Sequence, residues 1–83
     1  MEKRIGGVIL LIENKDSVAE LNNVIAQNAH LIIARQGIPL NEKGISVISL
    51  VVEGTTDEIS VLTGKAGRLN GVQVKSVLVK NKN

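Results

Sequence analysis

The apolar residues of the chain fall into runs with two different periodicities. Residues 44–54, GISVISLVVEG, have almost no polar position, although a β-strand directs successive side chains to opposite faces of its sheet. Its apolar side chains divide between the two faces as follows: Ile45, Val47 and Val51 on one, and Ile48, Leu50 and Val52 on the other. This strand therefore needs a cover on both sides.

The same pattern along the chain predicts six elements in the order strand, helix, strand, strand, helix, strand. The predicted strands are Arg4–Glu13, His30–Gln36, Gly44–Gly54 and Val72–Lys80. The predicted helices are Asp16–Ala29 and Thr55–Asn70. A turn-rich connection, GIPLNEK, joins the second and third strands, and residues 81–83 form a polar tail.

Each predicted helix has one apolar stripe and a start signal. The stripes are Val18, Leu21, Ile25 and Ala29 in the first helix, and Ile59, Leu62, Ala66 and Leu69 in the second. Asp16 or Ser17 is predicted to cap the first helix, with Ser17 and Glu20 at the spacing of a capping box. Thr55 and Glu58 have the same spacing at the start of the second helix.

The element order βαββαβ predicts an α+β, ferredoxin-like fold, in which two helices lie on one face of a four-stranded antiparallel sheet. Right-handed crossovers place the third strand beside the first and leave the second and fourth at the edges. The charged and polar side chains expected at sheet edges occur on those two strands: Arg35, Gln36, Lys75 and Lys80. We expect one domain spanning residues 1–83.

Two helices can cover only one face of this sheet, and the sequence does not say which. The other face would expose six to eight aliphatic side chains, a patch of about 300–450 Å², which is near the limit for a soluble monomer. A second copy of the chain is the simplest cover. We therefore expect a homo-oligomer, either a homodimer or a homotetramer.

Composition excludes several function classes. The chain has no aromatic residue, no cysteine, one histidine and a net charge of +2. Without aromatic side chains or a concentrated basic stripe, direct nucleic-acid binding is not expected. His30 lacks partners at ligand spacing, so no metal site or cofactor is expected; the alternative is a metal site built from one His30 per subunit across an oligomer axis. No apolar stretch has the length of a membrane span, and we expect a cytoplasmic protein that does not bind membranes.

Five residues are candidates for binding a ligand: Arg35, Thr55, Thr56, Gly64 and Gly67. Arg35 could hold a carboxylate or phosphate with two hydrogen bonds, or could simply protect a sheet edge. The two threonines begin a helix, where anions bind. Their alternative role is capping, and Asp57 and Glu58 would repel a phosphate there.

Gly64 and Gly67 lie beside the apolar stripe of the second helix, and each costs about 1 kcal/mol relative to alanine. This cost suggests a close approach by another backbone or a ligand, with helix fraying or ordinary close packing as the alternative. The loop Glu13–Ser17 is a further place where such folds bind small molecules. No combination of residues predicts a catalytic site, so we do not expect an enzyme.

The sequence ARQGIP…EKGISVISLVVEGTTDEISVLTGKAGRLNGVQVKS resembles the family of iron-only hydrogenase system regulators. An R-x-G-I-P turn, a K-G-I-S strand start, a G-T-T-D-E-I helix start and a G-V-x-V-K last strand recur there, and the resemblance covers essentially the whole chain. It implies a fold related to ACT domains and to the ligand-binding half of the nickel-responsive repressor. The nickel sites of those repressors need several histidines and a cysteine, which this chain lacks.

Two functions follow as hypotheses. The first is an ACT-like, homo-oligomeric regulatory module of an iron-only hydrogenase system that senses a small molecule at a subunit interface. The second is a structural or adaptor protein that binds a protein partner through its exposed sheet and takes no small-molecule ligand. Any contact with DNA would then be made through a partner.

Overall fold

Four strands and two helices alternate in the predicted order in the computed structural model, which describes residues 2–79 except for the side chain of Asn41. The strands are β1 (Arg4–Ile12), β2 (Ile32–Leu40), β3 (Ile45–Gly54) and β4 (Val72–Val79). The helices are α1 (Val18–Gln27) and α2 (Thr56–Gly67). The predicted strand end at Lys80 and the polar tail lie outside the described residues.

The four strands form one antiparallel sheet with the order β2-β3-β1-β4. Strands β1 and β3 are therefore central and β2 and β4 are at the edges, as predicted. This arrangement confirms the predicted ferredoxin-like α+β fold.

Both helices pack on the same face of the sheet, and together they enclose an aliphatic core. On β3 the buried side chains are Ile48, Leu50 and Val52, which shows the face that the helices cover. The rest of the core comes from β1, β4, both helices and the residue before β2: Val8, Leu10, Ile12, Leu21, Ile25, Leu31, Ile59, Leu62, Ala66 and Val72.

No helix formed by residues 2–79 lies on the opposite face of the sheet, which we call the open face. Its aliphatic side chains are Ile5, Ile9 and Leu11 of β1, Ile38 and Leu40 of β2, Ile45, Val47 and Val51 of β3, and Val77 and Val79 of β4. Val77 is 71% exposed and Val79 is 59% exposed. The open face is thus somewhat more apolar than predicted, because both edge strands contribute to it.

Strand β2 is longer than predicted. It was expected to end at Gln36, but it continues to Leu40, and Pro39 pairs with Ser46 of β3. The prediction was wrong because Gly37 and Pro39 were interpreted as breakers. An edge strand tolerates a proline, since the ladder on its outer side needs no N–H donor.

The ends of β2 also differ from the prediction. His30 does not start the strand but lies in a 3₁₀ turn, Ala29–Leu31. A second 3₁₀ turn, Asn41–Lys43, makes most of the connection to β3. Gly44 completes the reversal with φ of +69°, a conformation that side chains with a Cβ rarely adopt.

Ser17 occupies the N-cap position of α1, as predicted, but its side chain makes no capping hydrogen bond. The chain enters the helix through a 3₁₀ turn, Lys15–Ser17, whose cap is Asn14, and the Asn14 Oδ1 accepts from the Asp16 N–H at 3.0 Å. Ser17 is buried, and its hydroxyl donates to the carbonyl oxygen of Asn70 at 2.6 Å instead of capping α1. A tertiary contact has replaced the local one.

The C-terminal ends of both helices come earlier in the sequence than predicted. Helix α1 ends at Gln27, so Ala29 is exposed rather than part of the apolar stripe, while Asn28 is buried and donates to the carbonyl oxygen of Val24. Helix α2 ends at Gly67 rather than Asn70.

The capping box of α2 is confirmed. The Thr55 hydroxyl accepts from the Glu58 N–H at 3.2 Å, and the Glu58 carboxylate accepts from the Thr55 N–H at 2.9 Å. The stripe of Ile59, Leu62 and Ala66 is buried against the sheet.

We predict that Thr55→Ala lowers the free energy of unfolding by about 1 kcal/mol, because the substitution removes a cap acceptor. Urea unfolding followed by circular dichroism measures this change. Thr56→Ala is the matched control, since Thr56 is exposed at the first helical position and should change stability by less than half as much. Equal losses in the two variants would contradict the importance of the cap.

Candidate functional site

A groove of about 320 Å³ lies between α1 and the edge strand β2, on the helix-covered side of the sheet. It exists because the two helices cover the middle of the sheet but leave the part nearest β2 uncovered. Ile12, Val18 and Ile48 supply part of its apolar lining, while Arg35 and Asn22 supply polar groups beside it. The groove is also lined by Ile38, Pro39 and Val47.

Among the described residues, Arg35 is the only charged one that lines this groove, and its position follows from the strand register. Arg35 pairs with Leu50 and Gly37 pairs with Ile48, so both residues of β2 belong to the helix-covered face. The Arg35 Nη2 donates to the Asn22 Oδ1 at 2.8 Å, which ties the guanidinium to α1. No other described residue accepts a hydrogen bond from Arg35 in the structure, and within residues 2–79 no carboxylate forms a salt bridge with it.

Gly37 keeps the groove wide. A Cβ added there would meet no atom within 4 Å, so the space in front of this position is empty. Any side chain at this position would project into the groove. The absence of one leaves room for a small molecule next to the guanidinium.

The candidate loop Glu13–Ser17 joins two residues that line the groove, Ile12 and Val18. The loop is fixed to the connection before β4: the Glu13 N–H donates to the Gly71 carbonyl oxygen at 2.7 Å, and Gln73 Nε2 donates to the Glu13 carboxylate at 2.8 Å. The loop is therefore held in place between two lining residues, but none of its own residues lines the groove and several of its polar groups are already engaged.

Thr55 and Thr56 lie away from the groove, at the start of α2. The backbone N–H and the hydroxyl oxygen of Thr55 are both used in the capping box. Hydrogen bonds from Thr55 hold the pKa of the Glu58 carboxyl below its ordinary value, and His30, whose Nε2 is 3.8 Å from the Glu58 Oε2, acts in the same direction. An ionised carboxylate at this helix start opposes an anion there.

Gly64 and Gly67 lie at a third place, on the exposed side of α2. Gly64 borders a shallow depression of about 200 Å³ with Val61, Lys65 and Arg68. A Cβ at Gly64 would meet nothing within 4 Å, and one at Gly67 would meet only the Val74 Cγ2 at 3.8 Å. Close packing within the chain therefore does not account for either glycine.

The structure does not bring the five candidate residues together. It places Arg35 in the groove and the other four at two separate parts of α2. Asn22 could not be identified from the sequence, because a single asparagine on the exposed side of a helix carries no signal of a partner on a distant strand. The apolar floor was recognised as core but not as the lining of a groove.

Within residues 2–79, no group of three or more His, Cys, Asp and Glu side chains is arranged to hold a metal ion. Among the same residues, neither helix has the length and apolar character needed to cross a membrane.

The comparison with protein families agrees with the fold and with the motifs along the chain. A family model described as "TM1266-like: Iron-only hydrogenase system regulator, putative" matches residues 4–76. The chain belongs to this family. No curated protein matches the sequence.

Solved structures support the family and the fold. Uncharacterized protein TM1266 from Thermotoga maritima superposes with a TM-score of 0.91 at 30% identity, over 95% of this chain and 100% of that chain. The ACT domain from GTP pyrophosphokinase of Chlorobium tepidum gives a TM-score of 0.77 at 20% identity, over 92% and 100% of the two chains. CutA1 from Oryza sativa gives 0.54 at 15% identity, over 96% and 84%. The last two show the fold alone.

Ionisation of Glu58 should make stability depend on pH in acid. Because its pKa is lower in the folded state, the unfolded state binds more protons near that pKa, and stability rises with pH. The stabilisation of the folded state by the ionised Glu58 carboxylate is fully present above the ordinary glutamate pKa of about 4.3. It is lost as the pH falls through the lower, folded-state pKa.

We therefore expect the stability difference between the wild type and Glu58→Gln to be constant from about pH 5 to pH 6 and to shrink below about pH 4. Glutamine at this position can still complete a capping box, so the variant removes only the charge. Urea unfolding at a series of pH values measures the difference. A difference that stays constant down to about pH 3 would contradict the assignment.

Proposed function

We propose that this chain is a non-catalytic regulatory module that assembles with copies of itself and senses a small anionic molecule in the Arg35 groove. The observation that supports the proposal most directly is the guanidinium of Arg35, held by Asn22 beside an apolar lining. Membership in a family of regulators supports the general role, and the cytoplasm is the proposed location.

The chemistry of the groove defines the ligand class. A guanidinium presents five N–H donors in a planar fork and binds a carboxylate or phosphate with two parallel hydrogen bonds. One Arg35 nitrogen is engaged with Asn22, which orients the fork without neutralising its charge. The lining of Ile12, Val18 and Ile48 favours an aliphatic part on the same molecule. A small carboxylate with an apolar side chain fits both features.

Strand β2 provides a physical connection between ligand binding and assembly. Arg35 and Gly37 belong to the groove side of this strand, whereas their neighbours Gln36 and Ile38 belong to the open face. A ligand that shifts or stiffens β2 therefore changes the surface that a second copy meets.

A second candidate function is an adaptor that uses the open face to bind a different protein. The exposed aliphatic side chains of that face favour it. The two functions differ in the purified state: the adaptor is a monomer alone and needs its partner to cover the face, whereas the regulatory module associates with itself.

A thermal-shift screen of small carboxylates, amino acids and nucleotides tests the sensor. A ligand at 100 times its Kd stabilises a protein by about 2.7 kcal/mol, which raises the Tm of a domain this small by roughly 10–20 °C. We expect Arg35→Ala to abolish the shift and Arg35→Lys to reduce it, because lysine cannot form the bidentate pair.

Arg68→Ala is the matched control, since Arg68 borders the separate depression on α2 and should leave the shift unchanged. A panel without any shift, or a shift equal in Arg35→Ala and the wild type, would contradict the assignment of the groove.

A further inference from the structure

Large and small residues alternate at the centre of the open face. On β1 Gly7 precedes Ile9, and on the neighbouring β3 Val51 pairs with Gly7 and Ser49 pairs with Ile9. Ile9 is 46% exposed and Val51 is 39% exposed, while a Cβ at Gly7 would meet no atom within 4 Å. These four positions form two protrusions, Ile9 and Val51, and two hollows, Gly7 and Ser49, in a checkerboard.

We propose that a second copy of this chain packs face to face on the open face, about a two-fold axis parallel to β1 and β3. The inference rests on the self-association in the proposed function and adds the surface and the geometry. A rotation about this axis places β1 over the partner's β3. Gly7 then faces the partner's Val51, and Ile9 faces the partner's Ser49, so that each protrusion fills a hollow.

The outer strands favour this axis over the alternative. Residues that pair with one another across the four strands form a row that crosses the sheet. With the axis parallel to the strands, each row lies over the same row of the second copy. Val77 then lies over the partner's Ala34, and Lys75 lies over the partner's Gln36. An axis across the strands keeps the central fit but places Val77 over the partner's Lys75, which buries an apolar side chain against a charge. At Val77 and Lys75 the parallel axis pairs apolar with apolar and polar with polar. Glu53 and Gln73 meet an aliphatic side chain of the second copy with either axis, so they do not distinguish the two: the parallel axis places them over the partner's Ile5 and the partner's Ile38, and the other axis over the partner's Val47 and the partner's Val79.

The area is sufficient for a specific dimer. Four strands about 4.8 Å apart and about eight residues long, at 3.4 Å per residue, present roughly 500 Å² of sheet. Two such faces bury about 1,000 Å², which is the lower bound for a biological interface. The strands of two aligned, packed sheets cross at about 30°. Facing residues therefore stay in register best at the centre of the interface, where the checkerboard lies.

The test exchanges the small and the large side chain of a facing pair, Gly7 and Val51. Gly7→Val adds a side chain that the isolated subunit accommodates in open space, and valine suits a strand. Across the proposed axis it would collide with the partner's Val51 at two equivalent contacts. We expect Gly7→Val to remain folded and to raise the dimer Kd at least about 30-fold, since overpacking is costly. Combining it with Val51→Gly should restore the Kd to within about fivefold of the wild type.

Size-exclusion chromatography with light scattering, over a range of micromolar concentrations, measures the Kd, and circular dichroism confirms folding. Ser76→Val is the matched control, because Ser76 is also an exposed strand position but lies on the helix-covered face, away from the groove; its Kd should equal that of the wild type. Exchanging Ile9 and Ser49 by Ile9→Ser and Ser49→Ile provides a second, independent pair should either Gly7 variant fail to fold.

The outcomes separate the two proposals. A wild type that stays at 8.8 kDa overturns both the self-association and this interface. A wild type that associates while Gly7→Val leaves the Kd unchanged overturns only the interface. Weakening without restoration in both exchange pairs overturns the axis, and restoration in either pair supports it.

Discussion

The structure depends on a mismatch between the apolar surface of the central strands and the cover available within the chain. Strands β1 and β3 are apolar on both faces, but α1 and α2 pack on one face only. Burial of that face supplies the core, at about 25 cal/mol per Å² of apolar surface removed from water. The other face keeps Ile5, Ile9 and Val51 substantially exposed, so the same sequence pattern that specifies the fold also leaves it incomplete.

The strand order and the stripes of the helices could be predicted from the sequence because they depend on local periodicity and on the handedness of connections. The cap of α2 was predictable for the same reason, since Thr55 and Glu58 are three residues apart. The errors arose where a distant contact replaced a local one. Ser17 donates to the carbonyl of Asn70 instead of capping α1, and Pro39 remains in a strand because that strand is at the sheet edge.

The groove could be predicted only in part. Arg35 was recognisable as a charge on an edge strand, but its hydrogen bond to Asn22 joins residues whose proximity depends on how α1 crosses the sheet. The three places occupied by the candidate residues show a general difficulty: glycines and threonines with special local roles look alike in sequence whether they serve a ligand, a cap or a partner. At Thr55 the structure identifies a cap, and at Gly37 and Gly64 it identifies open space.

Solvent exposure of individual methyl groups tests most directly whether the open face is covered. Nuclear magnetic resonance with isoleucine, leucine and valine methyl labelling and a soluble paramagnetic probe reports this exposure for each residue in the intact chain. We predict that the methyl signals of Ile9 and Val51 are protected nearly as well as those of buried Leu50, while Val61 on the exposed side of α2 is strongly broadened. Broadening of Ile9 and Val51 equal to that of Val61 would contradict the account, since the open face would then be in contact with water.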